Sequence, residues 1–194
     1  YKTFIMKKTL LIFSLSVSFF TFSQVLQSEN FDALTLGDVG TDVAGVTAGQ
    51  GGYYTANGTN ASYQIVSETT GKSLQITGSN TATGSRFMWK DGLVSAWAGR
   101  TSGNEVINIE FDLFTGGATT SKNRQNLYLY NAAGDRVLVG LSFVAETKTL
   151  LGVCYLDNAG TLGNYSLNLG ASPIVLTGNQ WVRLGMSFNK TTGE

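Results

Sequence analysis

Apolar residues recur at every second position along much of the chain. In one segment they are Ile107, Ile109, Phe111 and Leu113, which alternate with Asn108, Glu110 and Asp112. Comparable alternation occurs in residues 127–130, 137–143 and 182–188. Successive side chains of a β-strand point to opposite faces, so this spacing predicts strands that each bury one face.

Short polar or glycine-rich stretches separate these segments, for example residues 69–72, 132–135 and 158–160. Such turns are typical of antiparallel hairpins. About nine or ten strands at this spacing predict an all-β fold, a two-sheet antiparallel β-sandwich. Residues 34–60 and 95–104 are predicted to be long loops. No segment after residue 23 predicts a helix.

The N-terminal segment has the pattern of an export signal. Met6 is followed by Lys7 and Lys8, then by an apolar run over residues 10–22 and by Ser23. This predicts a Sec signal peptide over residues 6–23, with residues 1–5 upstream of the natural start. The run is shorter than the roughly 20 apolar residues of a membrane span. We therefore expect a secreted or outer-surface protein with no stable membrane insertion after cleavage.

Residues 24–194 are predicted to form one domain. The alternation of residues 182–188 runs into the turn sequence Thr192-Gly193 without a return strand. We therefore expect the β-sandwich to be incomplete at its C-terminal edge, with further domains in the natural protein.

Composition excludes several kinds of chemistry. The chain has no histidine, which removes Ser-His-Asp and Cys-His catalysis and imidazole zinc sites. Three of its thirteen basic residues and none of its thirteen acidic residues lie in residues 1–23, so the remainder carries a net charge near −3. This charge argues against nucleic acid as a partner. Cys154 has no second cysteine and is predicted to be a small buried hydrophobe.

Three segments together resemble a known family. Residues 29–38 (ENFDALTLGD), 108–114 (NIEFDLF) and 180–193 (QWVRLGMSFNKTTG) are similar to strands of concanavalin A-like and laminin-G-like domains of exported bacterial surface proteins. The resemblance implies a jelly roll of two antiparallel sheets. In such proteins a type IX secretion sorting domain often follows.

Glu110 and Asp112 are the catalytic candidates. Residues at i and i+2 project from one face of a strand. The resemblance implies a Glu-x-Asp-x-x-Glu strand in glycoside hydrolases of this fold, with Glu110 as nucleophile. The third carboxylate is replaced by Thr115, so the acid/base is missing. The alternative is a solvated strand face.

The binding candidates are aromatic residues in or beside the predicted loops, with polar neighbours. Sugar rings stack on flat aromatic rings, and nearby polar groups bond their hydroxyls. The alternative is that these aromatic rings pack inside the protein, and Trp181 is predicted to belong to the core. The candidates are Tyr53, Tyr54, Trp89, Trp97 and Arg100, with Asn57, Asn60 and Asp91 as accessory partners.

The resemblance also implies calcium as an accessory ligand. Carboxylate oxygens suit this cation, and the candidates are Asp32, Asp38, Asp42 and Asp157. Ordinary turn acids are the alternative. The expected function is a non-catalytic module that binds extracellular glycan or mediates adhesion. A glycoside hydrolase and a structural surface-layer or filament component remain as alternatives.

Overall fold

The computed structural model describes residues 24–81 and 84–194. This part of the chain is an all-β fold, and every strand pairing in it is antiparallel. The signal peptide predicted over residues 6–23 lies outside the described residues. The strands are β1 (Gly37–Asp38), β2 (Tyr53–Ala56), β3 (Tyr63–Ser67), β4 (Lys72–Ile76), β5 (Phe87–Lys90), β6 (Val106–Phe114), β7 (Arg124–Tyr130), β8 (Val137–Val144), β9 (Thr149–Asn158), β10 (Thr161–Asn168), β11 (Ile174–Val175) and β12 (Trp181–Asn189).

The larger sheet has the order β10-β9-β8-β7, and β11 pairs with β9. Strands β6 and β12 form a two-stranded ribbon with Leu184 opposite Phe111. The inward side chains of this ribbon pack against the sheet, as the period-two pattern requires. The resulting core contains Leu141, Phe143, Leu150 and Leu184, surrounded by Phe111, Leu113, Leu176, Val182 and Met186.

The N-terminal strands repeat this arrangement on a smaller scale. A sheet of order β1-β3-β4 carries the buried core residues Val39, Tyr63 and Ile65. Strands β2 and β5 form a second two-stranded ribbon, with Tyr54 opposite Trp89. Tyr53 and Met88 point from this ribbon toward the core. Each ribbon therefore has one face against a core and one face toward solvent.

The prediction that residues 34–60 form one long loop is wrong. The stretch contains β1, a 3-10 helix at Gln50–Gly52 and β2. Alternation over four residues is too short to detect among glycines. The prediction of no helix is also wrong, since α1 spans Leu93–Ala98 and overlaps the start of the other predicted loop, residues 95–104. Its six residues complete fewer than two turns, too few for a 3.6-residue period to appear.

The buried hydroxyl of Tyr63 connects three strands. It donates to the carbonyl oxygen of Ala56, lies 3.0 Å from that of Asn57, and accepts the Phe87 backbone N–H at 3.1 Å. Tyr63 is fully buried. The hydroxyl therefore ties β3 to the end of β2 and the start of β5.

We expect Tyr63→Phe to lower the free energy of unfolding by about 1–3 kcal/mol, because buried backbone groups lose their partner. Urea unfolding measures this change. The matched control is Tyr165→Phe, whose exposed hydroxyl bonds only the Thr161 carbonyl oxygen among the described residues. We expect that control to change stability by less than about 0.5 kcal/mol. Equal effects of the two variants would contradict the role given to the Tyr63 hydroxyl.

Candidate functional site

The two adjacent tyrosines of β2 point to opposite faces of the ribbon. Tyr54 faces outward, and its ring stacks on Trp89 with centroids 5.6 Å apart and planes inclined by 12°. Tyr53 faces inward, where it contacts Phe31 and lies under the Lys90 ammonium, 5.1 Å from the ring centroid. Of these two candidates, the structure places Tyr54 beside Trp89 and places Tyr53 against the core.

The outward face of the β2–β5 ribbon carries a third aromatic residue. Phe87 lies two positions before Trp89 on β5, opposite the small Ala56. The side chains of Phe87 and Trp89 are 49% and 38% exposed, and Tyr54 is half-buried. We call these three residues the aromatic face. Phe87 was missed in the sequence, although its i, i+2 spacing from Trp89 could have indicated it.

A tight loop borders the aromatic face. The Asp42 carboxylate accepts the backbone N–H groups of Ala44 at 2.9 Å, Val46 at 3.4 Å and Thr47 at 2.8 Å. The bond from Ala44, together with those from Thr47 and Val46, lowers the pKa of Asp42 against an opposing effect of desolvation. The loop places Gly45, with a φ of +71°, directly against the indole of Trp89. Asp42 thus shapes the border of the site.

Trp97 and Arg100 form a separate pair at the end of α1. The Arg100 guanidinium lies 3.9 Å from the Trp97 ring centroid. Its nitrogens also donate to the carbonyl oxygens of Asn104 and Trp97 and to Glu105 Oε2, all within 2.7–3.0 Å. Every nitrogen of Arg100 therefore has a partner within residues 97–105. These contacts hold the segment together, and the Arg100 side chain is only 15% exposed, which leaves the guanidinium little access to a ligand.

The accessory polar candidates lie at the ends of the ribbon. Asn57 directly follows β2 and Asp91 directly follows β5, and both are exposed. Because the strands are antiparallel, the two residues flank opposite ends of the aromatic face. Asn60 begins a 3-10 helix, and its carbonyl oxygen accepts a bond from Gln64.

The other calcium candidates also accept hydrogen bonds within the protein. Asp32 accepts the Lys72 backbone N–H at 2.9 Å, Asp38 accepts the Gln64 side-chain amide, and Asp157 accepts the Gly160 N–H at 2.7 Å. Within residues 24–81 and 84–194, no three acidic or cysteine side chains form a group that could hold a metal ion.

Glu110 and Asp112 lie together on the outward face of the β6–β12 ribbon. Arg183 binds both, with Nη2 2.9 Å from Glu110 Oε2 and Nη1 3.0 Å from Asp112 Oδ2. The hydrogen bond to Glu110 and the charge of Asp112 raise the pKa of Arg183. Both carboxylates are more than half exposed. A retaining hydrolase needs a nucleophile and a separate acid/base across a bound sugar. Here the two carboxylates share one guanidinium on an open face.

The expectation that Trp181 belongs to the core is wrong. Its side chain is 48% exposed and contacts Phe114 across the ribbon, with ring centroids 5.5 Å apart. The alternation of residues 182–188 predicted the strand but not which face would be covered. Trp181 stands one residue before the first apolar inward position, so it points outward.

Comparison with protein-family models, with curated proteins and with solved structures finds no match for this chain. None of the helices in the described part of the chain has the length and apolar character needed to span a membrane.

We expect Gly45→Ala to displace the Trp89 ring. An added Cβ would lie 2.5 Å from the Cη2 atom of Trp89. The positive φ adds about 1–2 kcal/mol of backbone strain. Near-UV circular dichroism should lose the signal of the Tyr54–Trp89 stack. Gly52→Ala is the matched control, since its φ is also positive but its nearest neighbour is Lys90 Cε at 3.8 Å. An equal spectral change in both variants would contradict the contact.

Stability should depend on the Tyr53 phenol at high pH. Burial, followed by the charge of Glu29, raises the pKa of Tyr53 from 10.0 to about 12. Below pH 10 the phenol is protonated in both the folded and the unfolded state, so the stability gained by burying it is fully present. Between pH 10 and 12 only the unfolded state ionises, so stability falls as pH rises. Tyr53→Phe should therefore lose less stability than the wild type between pH 9 and 11 in urea unfolding. An identical loss would contradict the burial of this phenol.

Proposed function

We propose that this chain is a non-catalytic module that binds extracellular glycan, or mediates adhesion through it, by its aromatic face. The observation that carries the proposal is the Tyr54–Trp89 stack next to the exposed ring of Phe87. The cross-strand register places these three aromatic side chains next to one another on the solvent side of the ribbon.

The chemistry of the aromatic face suits a sugar. A pyranose presents apolar C–H groups on one face, which stack on aromatic rings, and hydroxyls at its edge. Exposed apolar patches rimmed by polar groups are typical of binding sites. Asn57 and Asp91 flank the two ends of the face and can bond those hydroxyls.

The fold we propose is a two-sheet β-sandwich of the concanavalin A-like jelly-roll type. Its support is the packing of the β6–β12 ribbon against the larger sheet over a common apolar core. The signal-peptide pattern of residues 6–23 supports export to the cell surface or the medium. Calcium belongs to the proposal as an accessory ligand, supported by the resemblance of the sequence to calcium-binding lectin-like domains.

The binding function is favoured over the hydrolase alternative by the position of Glu110. Its carboxylate shares Arg183 with Asp112 on an open face, where a sugar would not be enclosed between an acid and a nucleophile. The structural-component alternative is based on composition and gives no reason for exposed stacked rings.

We expect Trp89→Ala and Tyr54→Ala each to weaken glycan binding at least about tenfold, the loss that about 1.4 kcal/mol of stacking energy would cause. A glycan array with the full chain, in calcium and in chelator, identifies the ligand, and titration calorimetry measures the loss. The matched control is Trp97→Phe, which retains a ring beneath Arg100 and should bind like the wild type.

Binding that is unchanged in correctly folded Trp89→Ala and Tyr54→Ala variants would contradict the assignment of the site. The absence of binding to any glycan on the array would contradict the function. Loss of binding in chelator with retention of folding would support the calcium part of the proposal, and unchanged binding would overturn it.

A further inference from the structure

The outward face of the β6–β12 ribbon combines aromatic, charged and amide side chains in a single row. The strand register places Trp181 opposite Phe114, Arg183 opposite Asp112, and Gly185 opposite Glu110. One step further, Ser187 lies opposite Asn108. We call this row the ribbon face. It is distinct from the aromatic face, which belongs to β2 and β5.

One end of the ribbon face is an aromatic platform. The rings of Phe114 and Trp181 are inclined by 49°, and the two side chains are 42% and 48% exposed. Large aromatic side chains in a solvated face leave apolar surface in water, and ligand contact would remove it.

Beside the platform, Arg183 bonds both carboxylates. It uses Nη1 for Asp112 and Nη2 for Glu110. Each carboxylate has a second oxygen that can accept a bond, and the guanidinium has N–H groups beyond the two used here. The group therefore offers both donors and acceptors side by side, which suits adjacent hydroxyls that both donate and accept.

The charge of the ribbon face selects among ligands. Glu110 and Asp112 carry two negative charges against the single positive charge of Arg183. The net charge of −1 disfavours acidic polysaccharides, phosphates and nucleic acid. A neutral polyhydroxy ligand pays no such penalty.

The glycine at position 185 is a further observation that favours a ligand on this face. Its φ lies outside the left-handed region, so the backbone does not require glycine. An added Cβ would meet Ile109 O at 3.7 Å and Glu110 Cγ at 3.8 Å, both ordinary contacts. Packing therefore does not require glycine either. Glycine inside a strand weakens the strand, and it often marks a position that a ligand approaches closely. Here it leaves the backbone uncovered opposite Glu110, on the far side of the Arg183–Asp112 pair from the platform.

We propose that the ribbon face is a second binding site, for a neutral glycan. A sugar ring stacks on Trp181 and Phe114, and its hydroxyls bond Arg183, Asp112 and Glu110. The next unit of the glycan lies over Gly185. The proposal of this second site is independent of the proposal for the aromatic face and is tested separately.

The experiment uses the full chain with Trp89→Phe and Trp97→Phe, so that Trp181 is the remaining tryptophan. The probes are soluble neutral polysaccharides (mixed-linkage β-glucan, xyloglucan and galactomannan), with polygalacturonate as the acidic comparison. We expect a saturable change of Trp181 fluorescence with at least one neutral probe and a much weaker response to polygalacturonate.

Adding Gly185→Thr to this background separates a binding role from a structural role. A β-branched residue suits a strand, so the urea midpoint should stay the same or rise. The threonine side chain covers the backbone that glycine leaves accessible, so the affinity for the neutral probe should fall at least tenfold. A merely structural Gly185 would give the opposite result, with lower stability and unchanged affinity.

Three results would overturn the proposal. They are no response to any neutral probe, a Gly185→Thr variant that binds normally, and Trp181 emission that changes with protein concentration in the absence of glycan. The last result would mean that a second copy of the chain covers the ribbon face. If Trp181 responds to glycan and the Trp89→Ala variant also binds glycan like the wild type, the ribbon face is supported as a binding site. The same result contradicts the assignment of glycan binding to the aromatic face.

Discussion

The hydrogen bonds of the Tyr63 hydroxyl are the constraint on which the aromatic face depends. Two-stranded ribbons are marginally stable by themselves, and β2 and β5 have only four residues each. On the buried side of the ribbon, out of contact with water, the hydroxyl bonds the Ala56 carbonyl oxygen and the Phe87 N–H. Tyr53 and Met88 add apolar contacts on the same side. With its inner face held in this way, the ribbon can present Tyr54, Phe87 and Trp89 to solvent.

The two ribbons follow one physical rule. Because apolar residues alternate with period two, one face of each ribbon packs against a core. The other face is exposed to solvent and can present side chains that bind a ligand. On β2–β5 the free face carries aromatic rings and is bordered by the Asp42 loop. On β6–β12 it carries an aromatic pair and the ion triad of Arg183, Glu110 and Asp112. Surface ion pairs of this kind contribute little to stability.

The sequence predicted the fold class because its long strands alternate without interruption. For example, alternation predicted a strand over residues 107–113, and β6 spans Val106–Phe114. Short elements were missed, since four residues at Tyr53–Ala56 or six at Leu93–Ala98 carry too little periodicity among glycines. The candidate site was predicted in part. Tyr54 and Trp89 were chosen as separate residues, but their stacking follows from a cross-strand register that local sequence does not encode. The same limitation hid Phe87 and led to the assignment of the outward-facing Trp181 to the core.

The most direct test of the central claim is an NMR titration of the ¹⁵N-labelled full chain with a glycan selected on the array. The three tryptophans give three indole Nε1–H signals, which report separately on the aromatic face, the α1 segment and the ribbon face. We expect the Trp89 signal to shift in a saturable way while the Trp97 signal stays in place, because Trp97 is occupied by Arg100. A titration that shifts the Trp97 signal and leaves Trp89 unchanged would contradict glycan binding through the aromatic face.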